Sequence, residues 1–273
     1  GRQIKNLALN ITSAVGDGIN CEEYFLMKSG TVNISGTQDD GIQCDLGGTT
    51  STGETTDHED EDTGNIYLEG GTLSVTVTAA ASKGIKAAGD MRISSGDITV
   101  KTTGNGAYDS DERDAKGCAG LKSDGNMTIG GGNITLTSTG TGGKCIKADG
   151  TLTINDGTVR ATSSGSQYKY SSSATASTKA IKADGGLVIN GGTVYAKSSS
   201  HEGIESKGTL TITGGNVYAE SNDDAINSAG DMTISGGYVM ANSSGNDGLD
   251  ANGNCYIKGG NVFAVATSQP EVG

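Results

Sequence analysis

The sequence lacks the features that define several large classes of protein. No apolar stretch approaches the ~18 continuous residues of a membrane-spanning helix, so we expect no membrane span. Apolar residues do not recur every three or four positions over any long segment, which excludes long amphipathic helices. No secretory leader is visible, and the abrupt start at Gly1-Arg2-Gln3 predicts that a leader has been removed.

Histidine, paired cysteine and positive charge are also scarce. His58 and His201 have no Ser or Cys partner at a recognisable spacing, so we assign no catalytic residue. The five cysteines form no CxxC pair and are odd in number, which argues against a disulfide framework. We expect Cys21, Cys44 and Cys255 to be small core residues. The net charge of −13 argues against a nucleic-acid partner.

Repetition is what the sequence has in abundance. A short unit reading "GI" or "AI", or a close variant of it, recurs along the chain, and its apolar residue is called the anchor below. The nine anchors are Ile19, Ile42, Ile85, Leu121, Ile146, Ile181, Ile204, Ile226 and Leu249. Successive anchors lie 22 or 23 residues apart, or that distance plus an insertion. A fixed period of this length is typical of solenoid proteins.

Each unit holds three short segments in which apolar or small residues alternate with polar ones. One unit supplies Ile204–Ser206, Leu210–Ile212 and Val217–Ala219, with glycine-rich turns between the segments. Alternation bounded by glycine is a strand signal. Hairpins packed in a sandwich would not place the same residue types at the same offsets nine times. The pattern therefore favours one turn of parallel β-helix for each unit.

The predicted fold is all-β. It is a right-handed parallel β-helix, a single-stranded solenoid of about nine coils with three strands per coil, in one domain over residues 1–273. Leu9-Asn10-Ile11 matches the third strand of a preceding coil, so we expect a truncated N-terminal end with a capping segment upstream.

Three insertions interrupt the repeat, at about 46–63, 104–117 and 163–178. The last two fall at the same corner of the coil, just before its first strand. Insertions on one side of a solenoid often mark its binding surface, although tolerated surface loops look the same in sequence. The acidic run at 57–62, inside the first insertion, is typical of a solvated loop.

Lysine is concentrated at two outward positions of the middle coils, one residue after the anchor and two residues before it. The predicted carbohydrate-binding lysines are Lys83, Lys86, Lys122, Lys144, Lys147, Lys179 and Lys182. Stacked coils would align them at about 4.8 Å spacing, close to a sugar repeat, so an acidic polysaccharide could lie along them. Alternatively, aspartates two residues after Lys122, Lys147 and Lys182 neutralise the row. The sequence provides no such partner for Lys83, Lys144 or Lys179.

Acidic residues occupy the same positions in the outer coils. The predicted ligands of structural Ca²⁺ are Asp39, Asp40, Glu202, Asp223, Asp224, Asp247 and Asp250. Stacked carboxylates repel one another, and Ca²⁺ relieves this repulsion with oxygen ligands. Asp109, Asp111 and Asp114 form a further candidate. Solvated carboxylates without a metal ion are the alternative in each case.

Aromatic residues are few, so their positions are informative. Tyr195, Tyr218 and Phe263 recur on third strands, and Tyr168 and Tyr170 lie in the third insertion. Tyrosine rings could stack on sugars, and we predict that all four tyrosines bind carbohydrate. The alternative for the Tyr195, Tyr218 and Phe263 row is contact with a neighbouring domain or another protein.

The units "DDGIQCD", "NDGLDANGN" and "DDAINSAGDMTISGGYV" resemble a family of secreted bacterial carbohydrate-binding β-helix proteins. Those proteins are similar in fold to pectate lyases. The resemblance implies binding of cellulose or acidic plant polysaccharide, bound calcium and no proven catalysis. The family's acids before "GI" match Asp39, Asp40, Asp223, Asp224 and Asp247. The chain departs from the family where Lys83, Lys144 and Lys179 replace those acids.

Together these observations predict a non-catalytic, extracellular or cell-surface protein. It would bind acidic, uronic-acid-containing or plant cell-wall polysaccharide and would contain structural calcium. Two alternatives remain open: a surface adhesin or structural spacer, and a calcium-dependent polysaccharide lyase, because a lysine and aspartate surface could supply the base of such an enzyme.

Overall fold

The regular structure of the protein consists of β-strands wound into three long parallel sheets. The computed structural model describes residues 1–48 and 61–267. Each coil contributes one strand to each sheet, and the sheets contain nine, ten and ten strands in the described part of the chain. No helix among these residues could span a membrane.

The first sheet, called the anchor sheet, carries the anchors. Its strands are β3 (Ile19–Glu22), β6 (Ile42–Asp45), β9 (Lys83–Ala87), β14 (Ala119–Ser123), β17 (Lys144–Ala148), β22 (Lys179–Ala183), β25 (Ile204–Ser206), β28 (Ile226–Ser228) and β31 (Leu249–Ala251). Coils are numbered below by their strand in this sheet, so that β3 belongs to coil 1 and β31 to coil 9.

The second sheet follows the anchor sheet around the coil. Its strands are β1 (Arg2–Ile4), β4 (Tyr24–Met27), β7 (Asn65–Leu68), β10 (Met91–Ile93), β15 (Met127–Ile129), β18 (Leu152–Ile154), β23 (Leu187–Ile189), β26 (Leu210–Ile212), β29 (Met232–Ile234) and β32 (Cys255–Ile257).

The third sheet completes each coil. Its strands are β2 (Leu7–Ile11), β5 (Gly30–Thr37), β8 (Thr72–Val77), β11 (Asp97–Thr102), β16 (Asn133–Ser138), β19 (Thr158–Ser163), β24 (Thr193–Ser198), β27 (Asn216–Ser221), β30 (Tyr238–Ser243) and β33 (Asn261–Val265).

Two antiparallel hairpins project from this framework. One consists of β12 (Ala107–Asp109) and β13 (Asp114–Lys116), and the other of β20 (Tyr168–Lys169) and β21 (Thr175–Ala176). They form the insertions predicted at 104–117 and 163–178. Most of the insertion predicted at 46–63 lies outside the described residues.

The anchors form one continuous row of the core. Seven of them are completely shielded from solvent: Ile42, Ile85, Leu121, Ile146, Ile181, Ile204 and Ile226. Burying a side chain of this size stabilises a fold by about 1.5–3 kcal/mol relative to leaving it exposed. Each anchor packs on the equivalent anchor of the next coil, so the core is continuous along the molecule.

Many anchors are preceded by glycine because neighbouring coils approach each other closely at that position. A Cβ atom added to Gly84 would lie 2.2 Å from Cγ1 of Val100 and 2.7 Å from the carbonyl oxygen of Gly120 in the next coil. Both distances are shorter than van der Waals contact allows. Glycine at this position therefore permits the coils to stack tightly at the corner before the anchor sheet.

A row of buried hydroxyl groups lies at the same corner, and the alternation of apolar residues in the repeat does not indicate it. It consists of Thr102, Ser138, Ser163, Ser198, Ser221 and Ser243, which stack in register. Ser221 donates a hydrogen bond to the carbonyl oxygen of His201 at 2.7 Å, and Ser243 donates one to that of Asp223 at 2.6 Å. These bonds satisfy polar groups that would be costly to bury alone.

The predicted architecture is confirmed: it is all-β, with parallel sheets, three strands per coil and equivalent residues in register. β2 contains the segment predicted to belong to a coil before the first anchor. Cys21 and Cys44 are adjacent, in register and buried, as expected of core residues. The right hand of the coil, the single-domain assignment and the N-terminal truncation stay predictions.

Candidate functional site: a lysine cleft

The two hairpins pack against each other beside the anchor sheet. The rings of Tyr108 and Tyr170 stack with their centroids 3.9 Å apart and their planes at 13°. Ala115, Ala174 and Ala176 form a small buried cluster beneath them. Two insertions that are distant in sequence therefore build one continuous wall.

A cleft of about 490 Å³ lies between this wall and the anchor sheet, and it is called the lysine cleft below. The charged residues that line it are Lys83, Lys116, Lys122, Lys144, Lys147, Lys179, Lys182, Lys207, Asp114, Asp149 and Asp184. Eight lysines against three aspartates make the lining strongly cationic, although the whole chain carries a net charge of −13.

The lysines that follow the anchors form a straight row, as predicted. Lys86, Lys122, Lys147 and Lys182 occupy equivalent positions on four successive strands of the anchor sheet. They are called the outer row. Lys86 lies next to Gln43, with its Nζ 3.4 Å from the side-chain oxygen, and does not line the cleft.

Aspartates neutralise the rest of the outer row. Lys122 bonds Asp124 and also reaches Asp149 of the next coil at 2.8 Å. Lys147 in turn bonds Asp149 and Asp184, and Lys182 lies 2.9 Å from Asp184. Ion pairs thus connect three successive coils. For these lysines the structure supports mutual neutralisation.

The pKa values of the two shared aspartates reflect this network. Burial alone would raise the pKa of Asp149, but hydrogen bonds from Lys122 and Lys147 outweigh it and hold that pKa below its ordinary value. Asp184 behaves in the same way between Lys147 and Lys182. Both carboxylates therefore stay charged in neutral solution.

The lysines two residues before the anchors, Lys83, Lys144 and Lys179, are called the corner row. The expectation that Lys179 lacks a partner is wrong. Lys179 lies 2.8 Å from Glu202 and 2.6 Å from Glu205, and Glu205 also pairs with Lys207 at 2.6 Å.

Glu205 occupies an outward position of its coil, yet its side chain is completely buried beneath these lysines. Burial would raise the pKa of Glu205, but Lys179 and Lys207 outweigh it and keep the pKa low. The Glu205 carboxylate is therefore a fixed counterion for the end of the corner row.

Lys83 and Lys144 differ from the other cleft lysines. Lys116 pairs with Glu112, so six of the eight lining lysines have a carboxylate partner, while Lys83 and Lys144 have no ion pair within the described residues. The Lys144 ammonium contacts the carbonyl oxygen of Gly142 at 3.3 Å, and Lys83 bonds the carbonyl of Ala81.

Burial and neighbouring charge act strongly on these two amines. Burial lowers the pKa of Lys144 to about 7, and the positive charges of Lys182, Lys179 and Lys147 act in the same direction. Burial also lowers the pKa of Lys83, against partial opposition from Asp40. The cleft therefore contains two amines that form no ion pair in the described chain, although Asp40 favours the charged form of Lys83 and Glu205 that of Lys144.

The aromatic candidates do not join this site. Tyr195 and Tyr218 lie on the third sheet, with their rings stacked 4.8 Å apart. The guanidinium of Arg160 covers Tyr195 at 4.2 Å, so both sides of that ring are occupied. The ring of Tyr170 stacks within the wall, and Tyr168 packs against its alanine cluster. Their role in carbohydrate binding stays a prediction.

The acidic coils bring carboxylates together at two corners. His201, Glu202 and Asp223 offer ligand atoms within 4.8 Å of one another, and so do Asp17, Asp39 and Asp40. Glu202 is the exception among the predicted ligands, because it also pairs with Lys179.

Coils 8 and 9 hold a third acidic pair. Asp224 and Asp247 are buried and adjacent, and Oδ1 of Asp247 has no hydrogen-bond partner in the described chain. Burial raises the pKa of Asp224 to about 6, and Asp223 and Asp250 add to the effect. Asp250 itself accepts a hydrogen bond from Asn227 at 2.6 Å. A bound cation would offset the repulsion between these carboxylates and would give Oδ1 of Asp247 a partner.

Lys116, Lys207 and Glu205 were not among the predicted site residues. The repeat could have indicated Glu205, because Glu205 occupies the position in its coil that Lys182 occupies in the preceding coil. Lys116 lies in an insertion, where no repeat register exists to place it.

Comparison with protein families identifies the class of the chain. A family described as carbohydrate-binding domain-containing protein matches residues 3–166 and 140–248. These two segments cover most of the chain, which therefore belongs to this family, and its membership supports carbohydrate binding in general. Neither the comparison with curated proteins nor that with solved structures gave a match.

Proposed function

We propose that the chain binds acidic polysaccharide in the lysine cleft, without catalysis, outside the cell or at its surface. The observation that carries this proposal is the pair of amines, Lys83 and Lys144, that line a cationic cleft without an ion pair in the described chain. Uronic acid residues supply the missing anions. Family membership supports the binding of carbohydrate, and the cationic lining of the cleft supports the binding of an acidic one.

The direction of the cleft suits a linear polymer. Lys83 and Lys144 lie two coils apart, and the coil between them has the small residue Ala119 at the same position. Two coils correspond to about 10 Å at the usual strand spacing. A chain lying parallel to the coil axis can place a carboxylate at each lysine and a sugar ring above Ala119.

Binding measurements with two charge-loss variants test this proposal. Polygalacturonate should bind the protein more weakly as salt rises, and a neutral glucan should bind far more weakly or not at all. Lys83→Ala and Lys144→Ala should each reduce the affinity by about ten- to a hundredfold, since a charge-assisted hydrogen bond contributes about 1.5–3 kcal/mol. Lys197→Ala is the matched control, because Lys197 is exposed on the third sheet and pairs with Glu220. Failure of every acidic glycan to bind would refute the proposal.

We also propose that Ca²⁺ braces the acidic corners. The orphaned oxygen of Asp247 and the raised pKa of Asp224 fit a site for a hard cation with oxygen ligands. Asp17, Asp39 and Asp40 would hold a second ion, and burial raises the pKa of Asp40 to about 6. An unfolding temperature that does not respond to Ca²⁺ would count against this proposal.

Lyase activity is a second candidate, favoured by the position of Lys144, which is buried in the cleft among like charges. A lysine acts as a general base only when it is uncharged, and burial lowers the pKa of Lys144 to about 7. A lyase would release unsaturated sugars that absorb ultraviolet light, and Lys144→Met would abolish that signal. Stable binding without such products would favour the non-catalytic function.

A further inference from the structure

Lys144 lies at the centre of a crowded group of charges. Lys147 is on the same strand, and Lys122 is on the preceding strand of the anchor sheet. Lys179 and Lys182 are on the following strand, and Glu205 is one coil further along. Across the cleft, the wall presents Asp114 and Lys116.

The carboxylates near Lys144 are already engaged by other lysines. Glu205 pairs with Lys179 and Lys207, and Asp114 lies 4.0 Å from Lys116. An ammonium ion at Lys144 is therefore desolvated and next to like charges, and both conditions favour the neutral amine.

We propose that Lys144 receives a carboxylate of the bound polysaccharide and takes up a proton in doing so, so that the chain binds acidic polysaccharide more tightly in mildly acidic than in mildly alkaline solution. This inference rests on the proposed function and identifies the chemical group at one position of its site. It adds a dependence on proton concentration that the charge of the cleft alone does not imply.

The direction of the effect follows from linkage. A carboxylate next to Lys144 stabilises the ammonium form, so the complex contains a fully protonated lysine. Uronate carboxylates stay ionised between pH 6 and pH 8 and do not contribute to the change. With the pKa of Lys144 lowered to about 7, the charged fraction of the free chain falls steeply over this range. The binding-competent population, and with it the affinity, falls about tenfold from pH 6 to pH 8.

Calorimetric titration with an oligogalacturonate at pH 6, 7 and 8 tests the inference. Ionic strength and free Ca²⁺ are held constant, and two buffers with different ionisation enthalpies report the protons taken up. The expected result is a tenfold loss of affinity between pH 6 and pH 8, with uptake of about half a proton per bound ligand at pH 7.

Two arginine variants isolate the responsible amine. K144R keeps a positive charge at every pH in the window, so it should bind the ligand with no proton uptake and little change with pH. K147R alters a lysine that Asp149 and Asp184 already neutralise, and it should keep the full pH response. Asp40 and Asp224, whose raised pKa values lie near the window, are unchanged in both variants.

The outcomes separate this inference from the proposed function. Equal affinity at pH 6 and pH 8, or a K144R variant that keeps the tenfold change, overturns the proton linkage while binding itself stands. Absence of binding at every pH overturns both. Titration of the free protein, with its lysines labelled by ¹³C-dimethylation and observed by NMR, gives a separate check. A Lys144 signal with an ordinary lysine pKa overturns the inference whatever the ligand does.

Discussion

Lys144 and Lys147 lie three residues apart in sequence, yet their surroundings differ. Lys147 bonds two aspartates and is part of a neutral network, whereas Lys144 has no ion pair in the described chain. The distinction depends on side chains in neighbouring coils and not on the lysine itself. At the residue scale, the arrangement of partners determines which charges are available to a ligand.

The buried pair of Lys179 and Glu205 gives a stability prediction. Lys179→Met would leave Glu202 without its pair and Glu205 with Lys207 alone, and breaking a buried pair costs about 3–5 kcal/mol. Because the pair lowers the pKa of Glu205 in the folded chain, its contribution is fully present above the ordinary glutamate pKa. It is lost as the pH falls below that value and through the lowered pKa of the folded chain. Urea unfolding at pH 7 and at about pH 3 should show a cost that shrinks in acid.

Lys197→Met is the control for this measurement. Lys197 pairs with Glu220 at 2.7 Å, but both side chains are more than half exposed. An exposed pair of this kind contributes about 0–1 kcal/mol. If both variants lost the same stability, the buried pair would have no special role.

Asp224 gives a prediction about calcium. Its raised pKa means that, without metal, folding becomes more favourable as the pH falls from 7 to 5, because the folded chain binds the proton first. Ca²⁺ should raise the unfolding temperature by a few degrees at pH 7, and less at pH 5, where protons compete. Calorimetry with Ca²⁺ or chelator measures both effects.

Asp224→Asn should remove the part of the calcium response and of the stabilisation at pH 5 that comes from its own corner, while Asp40, whose pKa is also raised to about 6, keeps its part. Asp97→Asn, at an exposed position on the third sheet, should change neither. A wild-type protein that unfolds at the same temperature with and without Ca²⁺ would contradict the assignment.

The sequence predicted which residues share a row, but it did not predict which residues pair. Equivalent offsets correctly placed Lys122, Lys147 and Lys182 above one another. The contact between Lys179 and Glu205 runs diagonally from one position of a coil to a different position of the next coil. Diagonal contacts depend on side-chain conformation and local burial, which the repeat does not encode.

At the scale of elements, the two hairpins convert a flat sheet into a cleft. Neither hairpin follows the repeat, and each meets the other through the stacked rings of Tyr108 and Tyr170. The strands were predictable because their alternation recurs in every coil. The hairpin contact was not, because each insertion occurs once and has no register to extrapolate.

Tyr108→Ala tests whether the wall acts as a unit. Loss of the ring stack, which contributes about 0.5–1.5 kcal/mol, should let the hairpins separate and should weaken polysaccharide binding several-fold. The unfolding temperature should hardly change, because the hairpins lie outside the continuous core. Tyr256→Ala, at the far end of the molecule, is the control and should bind normally. Unchanged affinity in Tyr108→Ala would exclude the wall from the binding site.

At the scale of the whole molecule, stability should vary along the coil axis. Each coil contacts only its neighbours, so the last coil in the described chain has one packing partner instead of two. Ile257 and Val265 in that coil are 57% and 56% exposed, whereas Ile234 in the preceding coil is fully buried.

Hydrogen exchange followed by mass spectrometry measures this gradient. Amides in β32 and β33 should exchange orders of magnitude faster than those in β17 and β18, where coils pack on both sides. Uniform protection from end to end would show that the molecule opens as one cooperative unit instead.

The shared aspartates have a consequence for how such a molecule can change in length. Asp149 serves lysines of coils 4 and 5, and Asp184 serves lysines of coils 5 and 6. A gene duplication that copied one of these coils would therefore supply each new lysine with a new counterion. The outer row could therefore lengthen during evolution one coil at a time without an unpaired charge in that row. Duplication of the coil that holds Glu205 would instead bury a second carboxylate without a second Lys179. Lengthening by duplication is therefore favoured only for the middle coils.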